Sequence, residues 1–580
     1  MKGQVEISTV ELVAARLERE AEPGVVSGRL ESFHDHRCDS VPANHNVTYA
    51  GGSPPPIGLE EALDLTGFGR FSVKLVLGLW LCMTTQNFTG TDIAYSLPAA
   101  QCDLQFTAME KGWVNAALYV GMMSTAFVWG ALSDRVGRKY PLVLSYAAMA
   151  VCSFINAMFV STAWAFLVCR VFMGAMLIAT ATLSMTYAGE LFGKTYRARV
   201  FMWGGTLQAF SAAGHAGLAM WIIPLQLSWL RSWRVFMLLT TLINAVTGLF
   251  LLLLPESPKS LAVRGRQRES IGVLASIFSS NTGLPADCYP VRSLTLPKSL
   301  QDSANEGNPF AVMGRQFVKL CRPPYRIPLL FAVIVQPLIL YCQNTIRMWV
   351  PTIFAEMERD LASGLTQSRA VCNILEDMSP AAANVTTYTN CEAFHVDSSV
   401  YLNSAIIMLA RAGFQLTAGF TIQTLGRKIC LVSTLTLATS TLIAWPFAAS
   451  SSVVLMIACF FEGLANVAFT TLMNITVDLF PTSVRSSAVS LANFSGRAGS
   501  MVGNIAFPLL LAFNCSLAFW TGAGLLAFAA FLSVFKPRPS FTPIPNTGMG
   551  AKMLAEQRAS MASMTTVTSA TTIDGCQAPK

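Results

Sequence analysis

The chain has 580 residues, 53% hydrophobic and 12% charged, with a mean hydropathy of +0.49. Soluble domains carry roughly 25% charged residues, so a soluble enzyme of this size is excluded. The formal net charge of +8 does not read as a nucleic-acid footprint, because the basic residues alternate between loops instead of gathering in one patch.

Residues 1–72 form a polar tail with Pro54-Pro55-Pro56, expected to lack fixed structure apart from a short helix or two. The first thirty residues mix Glu with Arg and lack an apolar centre, so no secretory signal peptide is expected and the first apolar helix should itself direct insertion. Apolar runs of about 20 residues, enough to cross about 30 Å of hydrocarbon, then follow. Six lie near 73–97, 112–133, 141–161, 164–188, 201–223 and 233–254. A polar linker, 256–327, includes a predicted surface helix at 266–279. Six more runs lie near 328–351, 401–423, 429–449, 453–477, 487–512 and 516–535. Backbone groups in lipid must be satisfied within their own segment, so each run is a helix. The chain therefore reads as an all-α membrane protein: twelve transmembrane helices in two pseudo-symmetric six-helix halves, 73–255 and 328–536. A long outward loop spans 352–400, and a Ser/Thr-rich tail spans 537–580.

Arg135, Arg138, Lys139, Lys194, Arg197, Arg199, Lys259, Arg427, Lys428 and Arg485 all fall on one side, which places both termini in the cytoplasm. Of six glycosylation sequons, Asn384-Val-Thr alone falls in a long outward loop, so Asn384 is the expected glycan site. Cys372 and Cys391 share that loop, where oxidising conditions favour a disulfide, and they form the candidate pair.

The chain repeats itself. Gly130-Ala-Leu-Ser-Asp134-Arg135-Val-Gly137-Arg138-Lys139 aligns without gaps on Gly419-Phe-Thr-Ile-Gln423-Thr-Leu-Gly426-Arg427-Lys428, at an offset of 289. Glu190-Leu-Phe with Arg197 matches Asp478-Leu-Phe with Arg485 at an offset of 288. Two matches at nearly one offset mark a duplicated unit, as in transporters whose halves rock about a central site. The segment Gly193-Lys194-Thr195 ends an incomplete phosphate-binding loop and follows a membrane helix instead of a strand, so ATP-driven transport is not expected.

The Gly-x-Leu-x-Asp-Arg-x-Gly-Arg-Lys loop resembles that of the major facilitator superfamily, and the resemblance extends over about residues 60–540. It implies a cytoplasmic gate in which Asp134 pairs with basic residues and a neighbouring helix N-terminus. Asp134, Arg135, Arg138, Glu190, Arg197, Arg427, Asp478 and Arg485 are the gate candidates. Gln423 and Thr424 replace the acidic and basic residues in the second copy, so closure should depend mainly on Asp134. Pro255-Glu256-Ser257-Pro258-Lys259 resembles a Pro-Glu-Ser-Pro-Arg signature of sugar porters, organic ion transporters and the synaptic vesicle glycoprotein 2 group, and adds Glu256 to the gate. Organic ion transporters carry a large cysteine-rich loop after the first helix. Here that loop, near 99–111, is short and the long one follows helix seven, as in the vesicle glycoprotein group.

Charges inside membrane helices are functional candidates by default. They are Asp92, Arg170, His215, Arg411, Glu462 and Arg497. Arg411 and Arg497 lie deepest, and Arg497 matches an arginine of organic anion transporters. Both are substrate candidates, with Tyr341 and Phe469; the alternative for Arg411 is a structural pair with Glu462. Asp92, His215 and Glu462 are the coupling candidates, for a proton or ion. Tyr95, Tyr119 and Phe210 are further cavity candidates, whereas Trp221, Trp229 and Trp233 read as interface anchors.

No cofactor or metal is implied and no nucleophile–base arrangement is found, so the chain does not read as an enzyme. The expected function is secondary active or facilitative transport of a small organic solute, leaning to an organic anion or zwitterion, by alternating access. The protein should sit as a monomer in the plasma membrane or an intracellular vesicle. The rival reading is a non-transporting binding or trafficking scaffold.

Overall fold

In the computed structural model, residues 57–225, 227, 229–295, 309–362, 370–376 and 397–537 are described. Asn384 and Cys391 lie outside them. Among the described residues the apolar runs form twelve long helices. The first half holds α1 (Arg70–Leu104), α2 (Ala108–Val136), α3 (Lys139–Phe159), α4 (Ala163–Leu191), α5 (Lys194–Ile222) and α6 (Ser232–Leu252). The second holds α7 (Arg326–Ala362), α8 (Ser398–Leu425), α9 (Arg427–Ala444), α10 (Ser451–Leu479), α11 (Thr482–Phe513) and α12 (Cys515–Val534).

Eight of the twelve are long and apolar enough to cross a membrane by themselves; α1, α5, α8 and α11 fall short. These four carry polar side chains that bond across helix interfaces. Thr84 and Trp80 of α1 meet Ser211 of α5 at 2.7 and 3.1 Å. Gln336 and Asn344 of α7 reach Asn493 and Ser500 of α11 at 2.8 and 2.7 Å. The two halves pack through α2 on α11, α5 on α8 and α1 on α7. Large apolar side chains such as Leu144, Val151, Leu242, Leu249, Phe528 and Phe531 stand exposed on α3, α6 and α12, the surface a bilayer would cover.

Helix packing is closest where glycine removes the side chain. A Cβ on Gly121 of α2 would fall 1.9 Å from the Val171 carbonyl oxygen, and one on Gly174 of α4 would fall 2.0 Å from that of Leu118. Only bare backbone permits this approach.

Two helices outrun their predicted spans. α1 continues through Pro98 to Leu104, so the connection to α2 shrinks to Gln105–Thr107, closed by a capping box between Thr107 and Glu110. α7 continues to Ala362, eleven residues beyond the predicted end at 351.

The tail and linker also hold more structure than their polarity suggests. Ile57–Gly58 pairs in parallel with Leu294–Thr295. Between them, the helices Leu59–Asp64 and Gln267–Thr282 bury Leu59, Ala62, Leu63, Leu274, Phe278 and Tyr289. Tyr289 donates to the Ala62 carbonyl at 2.6 Å, and burial pushes its pKa up. This unit caps α1 from far along the chain. Asn281 Oδ1 accepts the backbone N–H groups of Phe71 and Ser72 at 3.0 and 3.2 Å, while its Nδ2 donates to the Thr66 and Gly67 carbonyls, both at 3.1 Å. Gly69 is required here, since a Cβ would lie 2.3 Å from the Asn281 carbonyl oxygen.

The expected Cys372–Cys391 disulfide is corrected: Cys372 is bonded to Cys515 at the start of α12. The short helix Val371–Glu376 folds back onto that end of the bundle, and the Val371 amide bonds the Ala448 carbonyl. Sequence spacing favoured the loop partner; the fold brings a cysteine 143 residues away into contact. Trp233 is likewise no interface anchor. It is buried, donates to Asp103 at 2.7 Å and lies under the Arg234 guanidinium, whereas Trp221 and Trp229 are exposed.

Candidate functional site

Apart from Lys111, buried near the start of α2, the charges deep inside the helices form two ion pairs and leave two further arginines. In the first half Asp92 of α1 and Arg170 of α4 meet at 2.6 Å, and neither side chain is exposed. The Ile93 amide also donates to Asp92 at 2.7 Å. In the second half Arg347 of α7 and Glu462 of α10 meet at 3.0 Å; Glu462 is fully buried and Arg347 is 15% exposed. Glu462 therefore pairs with Arg347 and not with Arg411. Arg411 instead donates to Asn466 Oδ1 at 2.7 Å, and Asn466 in turn donates to Gln415.

Arg347 is absent from the sequence-derived candidates. The predicted seventh span ends at 351, which makes residue 347 look interfacial; the helix runs on to Ala362 and places it well inside. The apolar pattern of Trp349, Val350, Ile353 and Phe354 beyond it, all buried, was the available signal.

Arg497, midway along α11, is half-buried and has no hydrogen-bond or ion-pair partner among the described residues. Its charge acts on the Tyr119 hydroxyl of α2, which also lies in the fields of Arg347 and Glu462. Tyr95 of α1 lies in the fields of Arg347, Glu462 and Arg411. A cluster of three arginines and one glutamate in the second half thus faces two tyrosines of the first, along the seam between the halves.

Of the other candidates, His215 touches this seam through Tyr95, ring centroids 5.2 Å apart, and the rest lie elsewhere. His215 is buried and sandwiched between Phe88 and Phe236, with ring centroids 4.0 and 5.0 Å away, and its Nδ1 bonds the Thr91 hydroxyl at 2.9 Å. Tyr341 lies beside Gly503 on the α11 side of α7, and Phe469 packs against the main apolar core. Phe210 is exposed.

At the basic end the duplicated motifs fold into matching geometry. Arg138 pairs with Glu190 at 3.5 Å, and Arg427 pairs with Asp478, its counterpart. Arg197 donates to the Phe192 carbonyl at 3.0 Å, and Arg485 to the Phe480 carbonyl at 3.2 Å. Gly137 and Gly426 both turn with positive φ, 112° and 80°. Asp134 is exposed and bonds Arg138 at 2.6 Å within its own half; Arg135 is exposed with no ion-pair partner among the described residues. Burial works against the Arg138 charge, but Glu190 and Asp134 more than offset it and hold its pKa above the usual range.

Glu256 acts as a remote cap. Its carboxylate accepts the backbone N–H groups of Arg138 and Lys139 at 3.0 and 3.2 Å, at the N-terminus of α3. Ser257 donates to Glu190 at 2.6 Å. The ion pairs of this end named here each join elements of one half.

The opposite end carries contacts across the halves. Gly112 of α2 packs on the Asn504 carbonyl and Pro508 of α11, and the Tyr401 hydroxyl of α8 donates to the Tyr95 carbonyl at 3.3 Å.

Two six-helix halves with repeated basic loops and a charged seam between them define a helical integral membrane protein built by duplication. The sequence model of the Major Facilitator Superfamily matches residues 75–375 and 370–571, and the chain belongs to that family. Among curated proteins it is similar to synaptic vesicle glycoprotein 2B of Rattus norvegicus, 28% identical over 255 residues, 42% of this chain and 37% of that protein. It is also similar to synaptic vesicle glycoprotein 2C of Mus musculus, 28% identical over 287 residues, 47% of this chain and 39% of that protein. The matched segments thus span less than half the length of these relatives. Among solved structures it is similar to the xylose transporter XylE from E. coli in a partially occluded inward open conformation, with a TM-score of 0.59 and 15% identity over 81% of this chain and 99% of that one. It is similar also to the nucleoside transporter NupG, with a TM-score of 0.51 and 15% identity over 80% of this chain and 100% of that one. The solved structures share the fold.

Proposed function

We propose that this protein is a secondary transporter that carries a small organic anion or zwitterion by alternating access. The observation that carries the reading is Arg497: a guanidinium in the middle of a membrane helix, facing the seam, with no counter-charge among the described residues. An unpaired charge at such a depth is expensive, by about 3 kcal/mol or more. Arg411, whose hydrogen-bond acceptor is the neutral Asn466, adds a second cation. A solute carboxylate would supply the missing acceptor through charge-assisted, two-pronged bonds.

The packing supports the cycle. Contacts across the halves include Gly112 and Tyr401 at one end and the Phe127 and Phe494 rings, 5.6 Å apart, nearer the basic end, while the ion pairs named at the basic end stay within each half. On this reading the state would be closed outside and released inside, with the basic end in the cytoplasm. In the closed-inside state Asp134, now exposed, would turn from Arg138 to the facing half. One protein of similar structure is a D-xylose-proton symporter, and the sealed Asp92–Arg170 pair is the candidate for proton dependence here.

The test is uptake into proteoliposomes of labelled benzoate, benzyltrimethylammonium and glucose, with wild type beside Arg497→Ala. Benzoate uptake that the substitution removes supports the reading. Transport of the cation or the sugar but not of benzoate, or benzoate uptake indifferent to Arg497, refutes the anion class. Absence of flux from folded protein favours the scaffold reading.

A further inference from the structure

The pair joining α7 to α10 is incomplete. Arg347 gives Glu462 a single hydrogen bond, Nη2 to Oε2 at 3.0 Å. Glu462 Oε1 and Arg347 Nε are both buried without a hydrogen-bond partner among the described residues. A guanidinium facing a carboxylate can form two parallel bonds, and polar atoms left idle in a low-dielectric interior are costly. The Asp92–Arg170 pair also leaves atoms unpartnered, but it is sealed on every side. Arg347 differs because part of its side chain is exposed and its charge acts on Tyr95 and Tyr119 of the first half. One turn along α10 from Glu462, Asn466 holds Arg411, so a single face of that helix positions two of the three arginines.

Glu462 therefore stands where an incoming carboxylate would bind. We propose that Glu462 is a built-in competitor for the anion site: it neutralises Arg347 when the site is empty and gives Arg347 up to the carboxylate of the entering solute. This rests on the organic-anion reading above. It assigns Arg347 as a substrate-contacting residue and makes the exchange of one carboxylate for another the event that marks a loaded site. A neutral residue at 462 would leave Arg347 unclaimed and strengthen anion binding; a merely structural Glu462 would, on removal, weaken both the fold and the site.

The experiment measures equilibrium binding of benzoate to the full chain in lipid nanodiscs, together with its unfolding temperature. Glu462→Gln should bind benzoate about tenfold tighter, the low end of what close charge pairs contribute at recognition sites. The double variant Arg347→Gln/Glu462→Gln should fold as wild type does and bind benzoate more weakly than wild type. If Glu462→Gln does not fold, Glu462→Asp replaces it: its carboxylate stands one methylene further back, and tighter binding than wild type is again expected. Wild-type binding left unchanged or weakened by the folded variant at 462 overturns the proposal and spares the anion reading. Benzoate binding by neither wild type nor variant overturns both.

Discussion

The two halves each bridge their first and fourth helices with a buried ion pair, and the charges are reversed between them. Asp92 and Arg347 sit at near-equivalent depths, 22 and 21 residues from the starts of α1 and α7. In the first half the acid lies on the leading helix and the base on α4; in the second the base leads and the acid lies on α10. The first pair is sealed and receives a backbone N–H as well. The second is partly open and has two more arginines near it. One duplicated scaffold thus holds a sealed pair in one half and, in the proposed function, a receptive site in the other. The difference lies in exposure and surplus positive charge rather than in the pair itself.

Breaking the sealed pair should have the largest effect on stability. Arg170→Ala leaves the Asp92 carboxylate buried alone, and removal of one partner of such a pair costs about 3–5 kcal/mol. Thermal unfolding in detergent should show a large loss, in contrast to Arg497→Ala. That substitution removes no protein partner and relieves the cost of an unpaired charge in the membrane, so it should not lower the unfolding temperature. Equal destabilisation by the two would erase the proposed distinction between sealed pair and site.

Asn281→Ala probes a different asymmetry, since the tail–linker unit is attached to the first half. It removes the acceptor at the α1 N-terminus, and loss of an N-cap costs about 0.5–2 kcal/mol. The fall should be visible in unfolding and as faster amide exchange at Phe71 and Ser72. The smallest effect concerns the covalent link of the second half. Peptide mapping without reduction should recover Cys372 joined to Cys515, and Cys391→Ser should leave that peptide pair intact.

The fold was legible from the chain because bilayer thickness and backbone satisfaction leave little choice: long apolar runs become helices. The repeat was legible too, and it reaches to atomic detail in Arg197 and Arg485, which bond equivalent carbonyls five residues upstream. Partners were much less so. Arg411 and Glu462 were both visible as charges in helices, yet α7 supplied the residue that decides their pairing, and its helix outruns the apolar run that announces it. Cys515 was hidden for a related reason: sequence distance says little about which helix end a loop folds back upon. The tail–linker unit escaped because its core is divided between segments about 200 residues apart, neither apolar enough alone. Asp134 was expected to pair with basic residues, and it bonds Arg138 four residues on in its own loop.

The most direct test of the charged seam is the initial rate of benzoate uptake into proteoliposomes by wild type, Arg497→Lys and Arg497→Ala, each shown to unfold at no lower a temperature than wild type. A carboxylate held by the forked guanidinium predicts rapid uptake by wild type, a marked fall with lysine, whose ammonium lacks the fork, and loss of at least about tenfold with alanine, the equivalent of one charge-assisted bond. Uptake by Arg497→Ala equal to that of wild type would contradict the account.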